Sequence, residues 1–231
     1  MSAPFSEATW HFLDRLAAAN TRATFEEDRA TYEGAVVAPS VALVDSLAEL
    51  LPARVHPGLQ ADPAVGRSRF RLNRDLRFSK DKTPYKTHLD FLFWIGDGPP
   101  RAQPACILRL TSTEVLLGAG QMGLSRDALA RYRERLDDPV DGAAARAVVE
   151  RLEAAGATLS DPDRVRVPKP YAADHPSAAL LRCDGFHVTM SAPHPSALDT
   201  DEAGDFAAWC TERWTAYRPL LDWFAGGALC T

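Results

Sequence analysis

The chain has 231 residues, of which 46% are hydrophobic and 25% are charged, and its formal net charge is −5. These proportions are typical of a globular protein long enough to bury a full core, and the negative total argues against a protein that coats nucleic acid with its whole surface. The length favours a single domain over 1–231, with an N-terminal helical part at about 1–52 and a sheet-containing core at about 65–231.

The N-terminal segment and the cysteines limit the cellular setting. The chain does not open on a basic region followed by an apolar run, and no stretch reaches the ~18 consecutive apolar residues of a membrane span. We therefore expect a cytoplasmic protein with no membrane partner. No two of the cysteines form a CxxC pair, so the sequence indicates neither a disulfide framework nor a cysteine-rich zinc site. The four cysteines are Cys106, Cys183, Cys210 and Cys230.

The N-terminal part has the pattern of helices. Ser6 is placed to cap a helix that runs through Leu16. Phe25 and Tyr32 indicate a second helix, and Pro39 marks the start of a third. Apolar residues recur at helical spacing throughout, which predicts three helices that cover the core.

The middle of the chain has the pattern of strands. In 68–78 the side chains alternate between an apolar face and an arginine-rich face, which predicts a half-buried strand with a cationic exposed face. Residues 89–96 are apolar on both faces and predict a central strand, while 105–112 and 114–120 predict a hairpin. Arg74 falls on the apolar face of the first strand, where a guanidinium needs a carboxylate or several carbonyl groups as partners.

Helices return in the second half of the sequence. Ser125 is placed to cap one helix, and a second helix is predicted from about Pro139 to Gly156. Residues 186–193 alternate as a strand, and an amphipathic helix over 206–224 has the aromatic spacing of a core-sealing face. Strands in one block with helices at both ends predict an α+β fold, with a central, largely antiparallel sheet flanked by N-terminal and C-terminal helices.

GAGQMG, at 118–123, matches the G-x-G-x-x-G pattern of dinucleotide-binding proteins. A dinucleotide site needs a helix that begins inside the glycine turn and a second strand that ends in an acid ~20 residues later. Here the predicted cap, Ser125, lies beyond the last glycine, and the acids that follow lie in a helical pattern. We therefore interpret Gly118, Gly120 and Gly123 as a turn or bulge, and we expect no nicotinamide or flavin cofactor.

The histidines invite a metal hypothesis, but they have neither the i, i+4 spacing of a helical metal site nor a Cys/His finger pattern. His175, His187 and His194 could converge with Asp174, yet surface or hydrogen-bonded histidine is the better interpretation, and no metal site is predicted. The sequence also contains no GxxxxGK[ST], GxSxG or HExxH motif, which removes the specific nucleotide, hydrolase and metalloprotease signals.

Positive charge is concentrated in RSRFRLNRDLRFSKDKTPYKTH, at 67–88, which we call the basic segment. Its five arginines, three lysines and two aspartates give a net charge of +6, which leaves −11 for the rest of the chain. The whole chain has only 4 Lys against 22 Arg, yet three of those lysines lie here. A lysine cluster in an arginine-rich chain indicates that a compact, flexible ammonium is needed.

The basic segment is the strongest candidate for a site that binds an anion. Its cations supply charge-assisted hydrogen bonds, and Thr83-Pro84 stiffens the loop, which lowers the entropic cost of ordering it on a ligand. An enzyme would also need an acid or base among the cations, although simple ion pairing explains the aspartates at least as well. The predicted ligand-binding residues of this segment are Arg71, Arg74, Arg77, Lys80, Lys82, Tyr85 and Lys86, and its candidate catalytic residues are Asp75, Asp81 and His88.

A second, weaker candidate is PKPYAADHP, at 168–176. It holds the remaining lysine, Lys169, which we add with Tyr171 to the predicted ligand-binding residues, and Asp174, which we add to the candidate catalytic residues. The segment could line the same cleft as the basic segment. Its prolines equally suit a plain connecting loop.

RLNRDLRFSKDKTPYKTH resembles the signature of the DUF2461 family of bacterial and fungal proteins. The likeness runs the length of the chain. Residues 5–36 resemble the family's opening helices, GAGQMG its glycine-containing strand turn, and RVPKPYAADHP its PKGY-type segment, with Pro170 in place of the usual glycine. Asn20 and Thr21 lie where a pair of asparagines is common. The family's name records an unknown function, so the resemblance implies an α+β domain and a set of functional positions without a reaction.

These observations leave three functional interpretations. The leading one is a cationic pocket that binds a phosphorylated or carboxylated small molecule, with phosphate-ester chemistry if the protein is an enzyme. The rival is a module that uses the segment as a track for nucleic-acid phosphates, with Phe78, Tyr85 and Trp94 as rings near it that could stack on bases. The third interpretation is a structural network of ion pairs that binds no ligand.

Overall fold

Six strands form one antiparallel sheet within the residues that the computed structural model describes, which are 5–77, 79–194 and 203–228. Their order across the sheet is β1-β2-β3-β4-β6-β5. The predicted α+β class and the antiparallel sheet are confirmed, as is the hairpin of β3 and β4. Phe78 and Cys230 lie outside the described residues. The strands are β1 (Leu59–Gln60), β2 (Leu89–Ile95), β3 (Ala105–Leu110), β4 (Glu114–Gln121), β5 (Thr158–Leu159) and β6 (Phe186–Pro193).

Helices precede, interrupt and follow the strands along the chain. The predicted caps are confirmed, because Ser6 is the N-cap residue of the first helix, and the Ser125 hydroxyl accepts a hydrogen bond from the Ala128 amide at 3.3 Å. The helices are α1 (Glu7–Ala18), α2 (Arg22–Glu27), α3 (Arg29–Arg54), α4 (Arg126–Asp137), α5 (Pro139–Ala154), α6 (Ala178–Leu181), α7 (Ala203–Trp214) and α8 (Arg218–Ala228), with 3₁₀ turns at Pro100–Ala102 and Thr215–Tyr217.

The α-helical part of the third helix starts as predicted, at Ala38–Arg54 with Pro39 in its first turn, but helical backbone begins earlier in the chain. α3 is continuous from Arg29 to Arg54 and contains a π-helical turn at Tyr32–Val37, just before Pro39. Proline has no N–H to donate to the carbonyl four residues earlier, which here belongs to Ala35. The buried Thr9 hydroxyl donates to that carbonyl instead, at 2.6 Å. The helix therefore passes through the proline without leaving a buried acceptor unpaired.

α3 is also long and apolar enough to cross a membrane, by length and composition alone. One such helix is weak evidence, because the buried core helix of a globular protein passes the same test. The side chains of Leu43, Val44, Leu47 and Leu51 are fully buried in the core. The expectation of a cytoplasmic protein with no membrane partner stays a prediction.

The predicted C-terminal helix over 206–224 is divided into α7 and α8 by a 3₁₀ turn. Pro219 lies in the first turn of α8, where its missing N–H ends one helix and suits the start of the next. The core-sealing role is confirmed, because Phe206, Trp214 and Leu220 are fully buried. Trp214 also donates from Nε1 to the carbonyl of Gly118 in β4, at 3.0 Å.

The two faces of the sheet differ in burial. Leu89, Phe91 and Phe93 of β2 point into the main core, which also contains side chains from α1, α3, α4, α5, α7 and α8. The predicted single domain, with its two parts, stays a prediction. The opposite face has only a small apolar cluster of Leu92, Trp94 and Ala105 with Phe70. We call it the open face, because its other side chains are partly or fully exposed; they include Asp90, Ile107, Arg109, Leu116, His187, Thr189 and Ser191.

The basic segment does not form the strand predicted over 68–78, and that expectation is wrong. Isolated bridges alone pair Arg69 with Phe91 and Asn73 with Tyr85. The physical reason lies in the loop, where Asp75 Oδ1 accepts from the Arg77 amide at 3.1 Å and Asp81 Oδ1 accepts from the Thr83 amide at 2.9 Å. Such local side-chain bonds favour turns and compete with a strand ladder.

Gly118 and Gly120 lie inside β4 in regular register with β6, so their interpretation as a turn or bulge is wrong. Gly123 does form a turn, with φ at +66°. The strand needs glycine because β6 approaches closely: a Cβ on Gly120 would lie 2.2 Å from the carbonyl oxygen of Phe186. Strand packing therefore explains the two glycines, and α4 begins only at Arg126.

We expect Gly120→Ala to lower the free energy of unfolding by about 2–3 kcal/mol, because β4 and β6 must separate to admit the new methyl group. The matched control is Gly34→Ala in α3, where a Cβ meets nothing within 4 Å. Alanine there should raise stability by about 0.5–1 kcal/mol through helix propensity. Urea denaturation of the three proteins measures both effects. Equal midpoints for Gly120→Ala and wild type would contradict the close approach of the strands.

Candidate functional site

Two cationic side chains and a histidine converge on the carboxylate of Asp90 at the start of β2. Lys86 Nζ donates to Oδ2 at 2.8 Å and Arg109 Nε donates to Oδ1 at 2.7 Å. His88 Nε2 lies 3.3 Å from Oδ2. The Asp90 side chain is only 16% exposed, so solvent screens these contacts weakly. We call these four residues the Asp90 cluster.

Two simple features of chain geometry build this cluster. Lys86, His88 and Asp90 are two residues apart, and alternate residues of an extended chain lie on the same side. Antiparallel pairing of β2 with β3 then places Arg109 directly opposite Asp90. The cluster therefore lies on the open face, near the end of β3.

The electrostatics keep the carboxylate ionised. Burial alone would raise the pKa of Asp90, but hydrogen bonds with His88, Arg109 and Lys86 outweigh burial and hold that pKa well below its usual range. With Lys86 and Arg109 charged, the cluster carries one net positive charge, and protonation of His88 adds another. An ionised carboxylate of this kind fixes the position of the cations around it.

The positive charge continues along the open face beside aromatic rings. Lys86 Nζ lies 5.7 Å from the centre of the Phe70 ring, and the Arg101 guanidinium lies 4.4 Å from the same ring. Arg67 stacks over Trp94 at 4.6 Å. Burial and then the charge of Arg109 lower the pKa of His187. Arginine and lysine side chains thus lie over the aromatic rings along this face, and Arg67 is also paired with Asp62 at 3.1 Å.

Most of the predicted cations in the loop of the basic segment are paired locally. Arg74 forms an ion pair with Asp81, which confirms that it needs a carboxylate partner. Arg77 pairs with Asp75 at 2.6 Å, and Lys82 Nζ donates to the Leu76 carbonyl at 2.9 Å. The loop is exposed, so these pairs contribute little to stability.

The same contacts decide what Asp75 and Asp81 can do. The hydrogen bond from the Arg77 side chain lowers the pKa of Asp75 to about 2, and the backbone N–H of Thr83 together with Arg74 lowers the pKa of Asp81 to about 2. Carboxylates this acidic are poor general bases at neutral pH, because the best catalytic pKa lies near the working pH. Ion pairing is the function that the geometry gives them.

Two predicted cations, Arg71 and Lys80, are exposed and form no hydrogen bond or ion pair with any residue that the structure describes. Both belong to the basic segment, and Lys80 lies in its loop. Their charges remain available to a ligand or to solvent.

Tyr85 is an anchor of the basic segment. Its ring is 6% exposed and stacks on Phe25, with centroids 4.5 Å apart and planes at 14°. Asn20 fixes its backbone on both sides: Nδ2 donates to the Tyr85 carbonyl at 2.9 Å, and Oδ1 accepts from the Tyr85 amide at 3.0 Å. The side chain of Asn20 therefore makes the pair of backbone hydrogen bonds that a residue of a neighbouring strand would make. Its position at a family asparagine site was the only sequence signal for this role.

The segment at 168–176 lies against α4 at a different part of the molecule. His175 Nε2 is 3.2 Å from Asp137 Oδ1 at the end of α4, and the Tyr171 ring is 6.3 Å from the His175 ring. Lys169 and Asp174 are exposed. No hydrogen bond, ion pair or ring contact among the described residues joins this segment to the basic segment, and the expectation of a shared cleft stays a prediction.

The histidines considered for a metal lie apart. His175 pairs with Asp137, His194 packs on Trp10 with ring centres 4.3 Å apart, and His187 lies near Arg109. Within 5–77, 79–194 and 203–228, no group of three or more His, Cys, Asp or Glu side chains is arranged to hold a metal ion.

The sequence matches the family model described as "Conserved hypothetical protein (DUF2461)" over residues 8–223. The chain belongs to the DUF2461 family. A comparison with curated proteins finds no match. The DUF2461 match contains the whole Asp90 cluster and Asn20, so the candidate site and its anchor lie within the family domain.

Sequence reasoning found Lys86 and His88 but missed Asp90 and Arg109. Asp90 has a weak local signal, because it continues the alternation of Lys86 and His88 into β2. Arg109 lies 19 residues further along the chain than Asp90. Only the register of β2 with β3 brings it to the site.

We expect Asn20→Ala to lower the free energy of unfolding by about 1–3 kcal/mol, because it removes two hydrogen bonds to the Tyr85 backbone and leaves a shielded N–H and C=O unpaired. Hydrogen exchange of the Tyr85 amide should also accelerate. The control is Asn73→Ala, since the exposed Asn73 side chain makes no hydrogen bond within the described chain. Similar losses in both variants would contradict the anchoring role of Asn20.

We expect Asp90→Asn to lower the free energy of unfolding by about 2–3 kcal/mol at pH 7, because it leaves Lys86 and Arg109 facing each other without a counter-charge. The folded-state pKa of Asp90 is depressed, so its contribution is complete above the ordinary carboxyl pKa and is lost as pH falls below it. The difference between the two proteins should therefore be smaller by about 1 kcal/mol at pH 3 than at pH 5.

Urea denaturation at each pH measures this difference. Asp45→Asn, at an exposed position on α3, is the control and should match wild type throughout. If the difference in the free energy of unfolding between Asp90→Asn and wild type does not change between pH 5 and pH 3, the carboxylate charge is not what stabilises the fold.

Proposed function

We propose that this protein binds a phosphorylated or carboxylated small molecule on the open face of its sheet, with Lys86, His88 and Arg109 as the groups that recognise the anion. The observation that carries the proposal is the convergence of these three donors on the one shielded carboxylate of Asp90. Side chains that are already held in place lose less conformational entropy when a ligand binds than mobile side chains do.

Asp90 uses only part of the hydrogen-bonding capacity around it. Arg109 has five N–H donors, and among the described residues only Nε is engaged, by Asp90. Its side chain is 44% exposed, so the terminal N–H groups are accessible. A phosphate or carboxylate can accept two of them side by side, which is the geometry that guanidinium groups favour.

The loop of the basic segment has a different part in this proposal. Arg74, Arg77 and Lys82 are held by local partners, whereas Arg71 and Lys80 have none among the described residues. Arg71 and Lys80 therefore supply long-range attraction for an anion, and the Asp90 cluster supplies the fixed contacts.

His88 is the residue that supports chemistry if the ligand is turned over. Asp90 holds Nε2, and Nδ1 makes no hydrogen bond within the described part of the chain. An imidazole oriented by a carboxylate can transfer a proton to or from a phosphate ester. Asp75 and Asp81 are weaker candidates because their pKa values of about 2 make them poor bases.

The nucleic-acid alternative has less support. Tyr85 and Trp94 were the rings that could stack on bases, but they are 6% and 1% exposed. Phe78 lies outside the described residues. The structural alternative accounts well for the loop ion pairs, but it leaves the accessible donors of Arg109 without a role.

The test is a thermal-shift screen at low and moderate salt with inorganic phosphate, nucleotides, sugar phosphates, small carboxylic acids and a short oligonucleotide. A ligand at ~100 times its dissociation constant should add about 2.7 kcal/mol, which raises the melting temperature by several degrees. Arg109→Lys keeps the ion pair with Asp90 but loses the planar fork, so it should lose most of the shift. Arg151→Gln, at an exposed position on α5, is the control.

The outcomes separate the three functions. A shift by one compound class that Arg109→Lys abolishes and Arg151→Gln retains supports the proposal, and His88→Gln should then bind the ligand more weakly and, if the protein is an enzyme, lose turnover. A shift by the oligonucleotide alone, with steep dependence on salt, favours the nucleic-acid alternative. No shift with any compound overturns the proposal in favour of a structural ion-pair network.

A further inference from the structure

A cavity of about 270 Å³ opens between the end of β4, α4 and α8. This volume is near the lower end for small-molecule sites, which are mostly apolar with a few placed polar groups. Its lining follows that pattern. The lining includes Gln103, Gln121, Arg131, Arg135, Trp223 and Phe224.

The cavity is separate from the Asp90 cluster. Arg109 pairs across the sheet with Leu116 of β4, and Gln121 lies five residues further along that strand. Five residues of extended chain span ~17 Å. Gln121 also falls on the other side of the strand from Leu116, because the two are an odd number of residues apart. A ligand in the cavity would therefore not touch the Asp90 cluster.

Fixed aromatic rings form one wall of the cavity. Trp223 and Phe224 meet edge to face with ring centres 5.0 Å apart, and Tyr132 lies parallel to Phe224 at 6.4 Å. Trp223 Nε1 donates to the Asp141 carbonyl at 3.0 Å, and the Tyr132 hydroxyl donates to the Leu180 carbonyl at 2.7 Å. Trp223 and Phe224 are 7% and 4% exposed, so only a small part of each ring borders the cavity, and since the polar ends of Trp223 and Tyr132 are already bonded, that part is apolar.

The charge around the cavity is positive. Arg135 is held by Asp141 at 2.8 Å and by the Trp223 carbonyl at 2.5 Å, and its guanidinium stacks over the Trp223 ring at 4.3 Å. Arg131, one turn earlier on α4, is exposed and makes no ion pair with the described residues. None of the described side chains that line the cavity is acidic. Arg131 is thus an uncommitted cation at the mouth.

Two amide side chains add polar contacts. Gln121 Nε2 donates to the Ala102 carbonyl at 2.7 Å, which fixes the side chain and leaves Oε1 as an acceptor. Gln103 also lines the cavity, and its side-chain amide makes no hydrogen bond inside the described ranges. A fixed amide such as that of Gln121 beside an apolar wall orients a ligand that has both a ring and polar atoms.

We propose that this cavity binds a small aromatic carboxylic acid, with the ring against Trp223 and Phe224 and the carboxylate on Arg131. The proposal rests on an apolar wall, an unpaired cation and the lack of any lining carboxylate among the described residues. A neutral ring would leave Arg131 without a partner, and an anion with no ring would leave the aromatic wall uncovered.

The test is an NMR titration of the full chain with three probes: benzoate, benzamide, which has the ring without the charge, and acetate, which has the charge without the ring. Benzoate should shift the amide signals of Gln121, Ser125 and Arg131, whether or not it also binds at the Asp90 cluster. Benzamide and acetate should bind about fivefold or more weakly, because each lacks one of the two contacts.

Two variants test the two contacts separately. Arg131→Gln should weaken benzoate about fivefold or more, and Arg126→Gln, at an exposed position on the same helix, should not. Ala128→Met fills the cavity from α4 while keeping a good helix former, so it should abolish benzoate binding. The proposal is overturned if benzoate leaves the cavity signals unshifted, if benzamide binds as well as benzoate, or if benzoate binding survives either Arg131→Gln or Ala128→Met.

Discussion

The carboxylate of Asp90 joins three parts of the molecule that the chain brings together from a distance. It accepts hydrogen bonds from Lys86 in the basic segment and from Arg109 in β3, while lying itself in β2. Without it, two cations and a histidine would face one another on the same side of the sheet. The packing of the basic segment and β3 around the start of β2 and the proposed anion site therefore depend on the same negative charge. A ligand that binds there uses donors that folding has already fixed in place.

The N-terminal helices give this arrangement its support. Asn20, just after α1, holds the backbone of Tyr85, and Phe25 of α2 stacks on the ring of Tyr85. Lys86 follows directly in the sequence, so its position is set by an anchor built from residues more than sixty positions earlier. This explains in physical terms why a family signature should extend over both the opening helices and the basic segment.

Local rules account for what the sequence predicted well. The caps at Ser6 and Ser125, the hairpin of β3 and β4, and the alternation of β6 all depend on neighbouring residues, and all are present. The misses come from interactions that local patterns do not contain. The Thr9 hydroxyl donates to the Ala35 carbonyl that Pro39 cannot bond, so the helix continues past the proline. The close approach of β6 requires glycine at positions 118 and 120 inside β4.

The basic segment is the most instructive of these misses. Its alternation of burial is real, since Leu72 is buried between exposed neighbours, but turn-forming bonds of Asp75 and Asp81 prevent a ladder. The periodicity therefore predicted which side chains face inward, but it did not predict that the backbone forms a loop with isolated bridges and not a strand. The candidate site was half predictable for the same reason, because Lys86 and His88 are local to the motif, whereas Arg109 reaches Asp90 only through strand register.

The distribution of acids gives a further argument that the uncommitted cations serve ligands. The chain has 31 acidic residues against 26 basic ones, so counter-charges are plentiful. Arg74, Arg77 and Lys86 each have one within the basic segment or just after it. Arg131 has no acidic partner among the described residues, and Arg109 donates to Asp90 from Nε alone. One carboxylate beside Arg131, or a second one beside Arg109, would satisfy it, and the surrounding sequence is rich in aspartate and glutamate. Accessible guanidinium donors in an acidic protein are therefore better explained by anions that come from outside the chain than by the stability of the fold.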